Sequence, residues 1–195
     1  MPDKLAASAF TLFAERGIAN VPVDDIAAHA GVTKGSLYWH YQSKDELIKA
    51  ACAHYYRAYH RRIDSELAHI TDAAERLART IETAVNICLV DRENRVFTTE
   101  VFTLAVHDEN LRRSWCQFSD AVREFYLGLL QAAVAAGELK VTDPGQAVDF
   151  MLSAMEGLKL RAQYEPHLCS PRSERAIVAS LKRTLGLAEA KLRIR

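Results

Sequence analysis

The chain has 195 residues, 49% of them hydrophobic and 26% charged, which is typical of a globular protein with a buried core. Its 25 lysines and arginines balance 25 aspartates and glutamates, which excludes both a polycation that coats nucleic acid and an acidic solvating tail. Eight glycines and five prolines are too few for a loop-rich sandwich or a disordered chain.

Signals for export and for membrane insertion are missing from the sequence pattern. The longest near-apolar stretch, residues 125–136, is too short to span a bilayer. The first ten residues, MPDKLAASAF, lack the apolar region of a signal peptide. The four cysteines are far apart and form no CxxC pair, as expected of reduced thiols. We therefore expect a cytoplasmic protein without a membrane partner.

Apolar residues recur with helical periodicity along almost the whole chain, and glycine and proline separate the periodic runs. This pattern predicts an all-α protein of about nine helices. In chain order, the helices are predicted at residues 3–16, 23–30, 34–40, 44–68, 71–90, 93–107, 109–136, 144–166 and 171–185.

Several helix ends carry capping residues. Gly17 is placed to end the first helix, and Asp143 and Ser170 precede prolines at helix starts. The fourth helix begins with a capping box, in which the Ser43 hydroxyl accepts from the Glu46 N–H. In the same box, the Glu46 carboxylate is expected to reach back to Ser43.

The helix lengths indicate two domains. Three short helices joined by tight turns occupy residues 1–45 and suit a small recognition head. Long amphipathic helices occupy residues 46–195 and suit a bundle whose interior could hold a ligand.

Residues 23–41 have the pattern of a helix-turn-helix. Ile26, Ala27 and Ala30 form an apolar face, and the small Ala27 permits close approach of another helix. Gly31 tolerates the positive φ of a sharp turn, and Leu37 faces inward from the helix that follows. A structural corner without function is the weaker interpretation, because polar and aromatic groups crowd this second helix.

The exposed face of the second helix carries groups suited to DNA. Side chains of these types contact phosphates, and the N-terminal residues of such a helix enter the major groove. Trp39, in contrast, is expected to pack behind the helix. The hydrogen-bond donors and flat rings within the two turns of this second helix are Lys34, Ser36, Tyr38, His40 and Tyr41.

The segment GVTKGSLYWHYQSKDEL, residues 31–47, resembles the signature of the TetR family of bacterial transcriptional regulators. The segment AFTLFAERG, residues 9–17, is similar to that family's first helix. The motif resemblance covers residues 5–50, and beyond them only the helical layout matches. Carried over by position, it implies DNA contacts from Thr33, Lys34, Ser36, Tyr38, His40, Tyr41 and Lys44.

The resemblance also implies a ligand-responsive regulator, in most such proteins a repressor. It implies a homodimer that binds a palindromic double-stranded DNA operator and joins through its last two helices. A small-molecule effector in the bundle core would release the DNA. One departure concerns Pro22, which stands where the family usually has a threonine that touches a phosphate. Because proline has neither an N–H nor a hydroxyl, we expect one phosphate contact fewer.

An apolar stripe marks the seventh helix, with Trp115, Phe118 and Val122 spaced by three and four residues. Core packing is the default interpretation of such a stripe. Methionines and aromatic rings also line adaptable cavities, and analogy with the family favours a pocket for a largely apolar effector. The candidate pocket residues are Phe97, Phe102, Trp115, Phe118, Val122, Met151 and Met155.

No cofactor, metal site or catalytic group is expected. The histidines lack HxxxH and HExxH spacing, and no GxSxG motif, P-loop or strand-linked GxGxxG is present. Two alternatives to a ligand-released regulator stay open. One is a DNA-binding regulator that needs no ligand, and the other is a helical-bundle enzyme or lipid-binding protein with a vestigial DNA-binding head.

Overall fold

A computed structural model describes residues 1–187, and the regular elements within that range are all helical. The predicted all-α fold is confirmed. None of the helices in this range is long and apolar enough to cross a membrane. Residues 1–187 contain nine α-helices: α1 (Pro2–Arg16), α2 (Val23–His29), α3 (Lys34–His40), α4 (Lys44–Leu67), α5 (Ala73–Val85), α6 (Arg92–Ala105), α7 (Glu109–Ala135), α8 (Pro144–Arg161) and α9 (Pro171–Thr184).

Three short turns of other helix types were not predicted. Residues Ile18–Asn20 and Pro166–Cys169 form 3₁₀ turns, and Asn86–Val90 form a π turn. The predicted fifth helix therefore divides into α5 and the π turn. Helix α8 ends at Arg161, earlier than predicted, and a separate 3₁₀ turn begins at Pro166.

The predicted caps are formed with one change. The hydroxyl of Ser43 accepts from the Glu46 N–H at 3.2 Å, as expected. The Glu46 carboxylate, however, accepts from the Gln42 N–H at 2.6 Å rather than from Ser43. At α8, Asp143 accepts from the Gln146 N–H at 2.9 Å, so the start of that helix is fixed as predicted.

Contacts divide the chain into two compact units. The first consists of Met1–Arg61 and Arg92–Gln117, and the second comprises Arg62–Asp91 and the chain from Phe118 onward. The predicted domains, 1–45 and 46–195, differ from this division in their placement of residues 46–61 and 92–117, and they stay a prediction.

The first unit is built around α1, α4 and α6. Leu5 and Phe13 of α1, Leu47 of α4 and Phe97 of α6 are fully buried. Removal of such side chains from water is the main driving force for packing these helices. Helix α1 ends at Gly17, whose φ of +82° is accessible mainly to glycine.

In the second unit, α5 packs on α9 and α9 packs on α8. Leu77 and Ile81 of α5, Met151 of α8 and Leu181 of α9 are buried. An ion pair of 2.6 Å between Lys182 and Glu82 ties α9 to α5 at the edge of this core.

Candidate nucleic-acid interface

The helix-turn-helix forms as the sequence predicts. Ile26 and Ala27 of α2 are buried, and so is Leu37 of α3. Gly31 has a φ of +64°, so the chain reverses between α2 and α3 in a conformation that other residues rarely adopt. The Thr33 hydroxyl accepts from the Ser36 N–H at 3.2 Å and begins α3.

Leu37 fixes which side of α3 faces outward. At about 100° per residue, the positions two before and two after Leu37 lie about 160° from it, almost opposite the core. These positions are Gly35 and Trp39, and both are exposed. Ser36 and Tyr38 lie about 100° to either side of Leu37, so they flank the outermost line of the helix.

The prediction that Trp39 packs behind α3 is wrong. Its side chain is 78% exposed, because two helical steps from the buried Leu37 carry it to the solvent side. Its ring is nearly perpendicular to the ring of the half-buried His40, with ring centroids 4.6 Å apart. Because Leu37 faces inward, the helical geometry alone predicts that Trp39, two residues later, faces solvent.

Lys34 forms an ion pair with Asp24 of α2. The ammonium lies 2.8 Å from the carboxylate, and both side chains are exposed. The hydrogen bond to Asp24 and the charge of that carboxylate raise the pKa of Lys34. The lysine thus stays charged, but an acid on the neighbouring helix offsets its attraction for phosphate.

Two further predicted contact residues are anchored to the first unit. The Tyr41 hydroxyl donates to the Pro2 carbonyl at 3.3 Å, and partial burial raises the pKa of the Tyr41 phenol. The Lys44 ammonium donates to the Ala19 carbonyl at 3.4 Å and is half-buried. Hydrogen bonds within the protein therefore hold both side chains in position.

A bond between α6 and the α1–α2 turn was missed by sequence reasoning. The Glu100 carboxylate accepts from the Ile18 N–H at 2.5 Å, across 82 residues of sequence. Gly17 precedes this N–H, and a Cβ at Gly17 would lie 3.0 Å from the same carboxylate. No local pattern signals a pair so distant in the chain.

The seven candidate pocket residues fall in both units. In the first unit, Phe97 is buried against Phe10, with ring centroids 5.0 Å apart. Phe102 is 47% exposed and meets the Trp115 ring at 6.0 Å. In the second unit, Phe118 and Val122 are half-buried, and Met151 and Met155 are buried.

A groove of about 1030 Å³ lies in the second unit, and none of the seven candidate pocket residues lines it. Its walls come mainly from α5 and α9, and the turn before α8 adds Glu138 and Leu139. Glu138 accepts from the Ala74 N–H at 2.7 Å, so this carboxylate caps the start of α5.

The described part of the chain contains no group of three or more acidic, histidine or cysteine side chains that could hold a metal ion. The cysteines within it are free thiols. Burial raises the pKa of the Cys52 thiol to about 12, so this thiol stays protonated at neutral pH.

Two family models cover most of the chain. The model for bacterial regulatory proteins of the tetR family matches residues 5–51. The model for the C-terminal part of BetI-type transcriptional repressors matches residues 73–186. The first match contains the whole helix-turn-helix, and the second covers more than half of the chain.

Two curated relatives align over about two thirds of the chain. The transcriptional regulator SrpR of Pseudomonas putida is 27% identical over 142 residues, which is 71% of this chain and 63% of SrpR. The transcriptional repressor KstR2 of Rhodococcus jostii is 30% identical over 139 residues, 68% of this chain and 64% of KstR2. The chain thus spans less than two thirds of the length of these relatives.

Solved structures share the fold over almost the whole length. A transcriptional regulator from Saccharomonospora viridis in complex with choline has a TM-score of 0.82 at 21% identity, covering 93% of this chain and 95% of that one. A TetR-family regulator from a Rhodococcus species has a TM-score of 0.80 at 24% identity, covering 94% and 97%.

Proposed function

Because the chain belongs to the TetR family of bacterial transcriptional regulators, we propose that it is a repressor that binds a palindromic operator as a homodimer. The proteins it matches are regulators and not enzymes, so the alternative of a helical enzyme is excluded. The observation that carries the proposal is the exposed outer face of α3, opposite the buried Leu37.

The proposed DNA contacts follow from the position of each side chain on the head. Ser36 and Tyr38 flank the outer line of α3, where they would reach the walls of a major groove. Thr33 and Lys34 lie at the start of α3, and His40 lies near its end. Beyond the helix, Tyr41 and Lys44 would contact the phosphate backbone.

A face of α8 supports the proposed dimer. Phe150 and Leu160 are 63% and 52% exposed, and Tyr164 just beyond the helix is 80% exposed. Between them, Gly157 is exposed, and a Cβ there would meet nothing within 4 Å. Large apolar groups beside a glycine suit packing against the same face of a second α8, because a two-fold interface joins one surface patch to its own copy.

We further propose a small, largely apolar effector bound in the second unit, among the candidate pocket residues there: Phe118, Val122, Met151 and Met155. The buried Met151 and Met155 would present adaptable apolar surface to such a ligand. The buried Lys159 is already paired with Glu156 at 3.0 Å, so it offers no unbalanced charge. Structural neighbours hold ligands as different as choline and stearoyl-CoA, so the fold itself does not select one class.

Selection from random DNA tests the repressor proposal directly. The full-length protein is mixed with a library of duplexes, and bound molecules are amplified over several rounds. We expect enrichment of an inverted repeat whose half-sites lie about 10 base pairs apart, centre to centre. Recovery of no enriched sequence, or of a half-site without its repeat, would contradict the proposal.

Asp24→Asn is expected to tighten DNA binding by releasing Lys34 from its ion pair. The freed ammonium would then neutralise one more phosphate. The plot of log affinity against log salt concentration should become steeper by about one unit. Fluorescence anisotropy with the selected duplex at several salt concentrations measures this slope.

Asp25→Asn is the matched control for this change. Asp25 lies on the same helix, and its exposed ion pair is with Arg16, 2.9 Å away and outside the proposed contact set. Both variants lose one negative charge, so both share any general gain in attraction for DNA. Equal slopes in the two variants would show that Lys34 does not reach a phosphate.

A further inference from the structure

The residues on the outermost side of α3 are not the polar residues proposed to contact DNA. Gly35 and Trp39 lie one helical turn apart, about 160° from the buried Leu37. The donors Ser36 and Tyr38 lie to the sides of this line. A helix that enters a groove with Leu37 behind it therefore places Gly35 and Trp39 deepest.

Gly35 has no structural explanation within the first unit. Its φ is not positive, and a Cβ built on it would meet nothing within 4 Å. Glycine destabilises a helix relative to alanine, so a side chain at this position would make α3 more stable. A missing side chain on an exposed helix permits another molecule to come close to the backbone.

Trp39 supplies the opposite feature, a large apolar ring in solvent. The indole offers one N–H donor and no acceptor, so most of its surface interacts through apolar contact. Base edges in the major groove present hydrogen-bonding groups and a single apolar group, the C5 methyl of thymine. Of the groups in that groove, this methyl is the one that matches the ring.

We propose that Gly35 and Trp39 form a reader of 5-methylpyrimidines, in which the glycine lets α3 approach the base edges and the indole packs on a thymine methyl. This inference rests on the proposed operator binding and adds the base that is recognised. It assigns sequence preference to two residues outside the polar contact set.

Deoxyuridine substitution tests the inference, because it removes the methyl and leaves base pairing intact. Each thymine of the selected duplex is replaced in turn, in both half-sites, and affinity is measured for the wild type and for Trp39→Ala. At one thymine per half-site, the wild type should lose about fourfold for each methyl removed. Trp39→Ala should bind the thymine and deoxyuridine duplexes equally at that position.

One control variant and one variant of the proposed reader complete the test. Val106→Ala removes exposed apolar surface from a residue outside the proposed contacts with DNA, effector and second copy, and it should retain the full sensitivity to deoxyuridine. Gly35→Ala should keep or raise the melting temperature and weaken binding to the thymine duplex, because its methyl group holds α3 away from the bases.

The outcomes separate this inference from the proposed function. If no duplex is enriched, operator binding itself fails. If a duplex is enriched but Trp39→Ala loses affinity for deoxyuridine duplexes as the wild type does, the methyl is read elsewhere and the inference is overturned. It is equally overturned if Trp39→Ala binds the selected duplex as tightly as the wild type, which would leave the ring for a protein partner.

Discussion

Gly157→Arg is expected to convert the proposed dimer to a monomer and to reduce operator affinity by about 10² to 10⁴-fold, the gain that joining two binding modules usually provides. The arginine would project between Phe150 and Leu160, where the second copy of α8 is proposed to lie. Sedimentation velocity measures the oligomeric state, and titration of the selected duplex measures the affinity.

The monomer itself should tolerate this change. No atom outside the local helix lies within 4 Å of a Cβ at Gly157, and arginine favours a helix more than glycine does. Gly128→Arg is a matched control, because Gly128 is also an exposed helical glycine with nothing within 4 Å, but lies on α7. A Gly157→Arg protein that sediments as a dimer would refute the α8 interface.

Phe97→Ala is expected to destabilise the protein by about 3–5 kcal/mol, as removal of a buried phenyl ring usually does. Phe97 is 1% exposed and contacts the rings of Phe10 and Tyr55 in the first unit. For a chain of this length, the loss corresponds to a melting temperature lower by about 6–20 °C. Thermal unfolding followed by circular dichroism measures it.

Phe102→Ala is the comparison variant on the same helix. Phe102 is about half exposed, so its removal should cost less than about 1 kcal/mol. This pair of variants separates two roles proposed for Phe97. If Phe97 lined an empty effector cavity instead of packing in the core, its removal would lower the melting temperature no more than removal of Phe102.

The parts of the fold that sequence predicted well are those set by neighbouring residues. Thr33 and Asp143 cap helices because their side chains reach N–H groups three residues away. Gly31 turns the chain because of its own backbone freedom. Each of these signals is complete within a few residues, so the helix-turn-helix and the all-α class could be read before any tertiary contact was known.

The sequence predicted less well the side of a helix to which a side chain points and the contacts between residues far apart in the chain. Trp39 is exposed on α3 rather than packed behind it, and the inward position of Leu37, two residues earlier, already implies this. The pairing of Lys34 with Asp24 depends on how α2 packs against α3, and the bond from Glu100 to Ile18 joins residues 82 apart. Such contacts arise from packing, for which one sequence provides no local pattern.

The Glu100–Ile18 bond and the rings around Phe97 have a consequence for how this head could be inherited or transplanted. A fragment that stopped before α6 would leave the Ile18 N–H without its carboxylate and would open the aromatic face of α1 to water. In this protein the head includes α6, a helix from the middle of the chain. An exchange of DNA specificity between relatives would therefore have to transfer α6 together with the first four helices, or rebuild the Glu100 contact in the recipient.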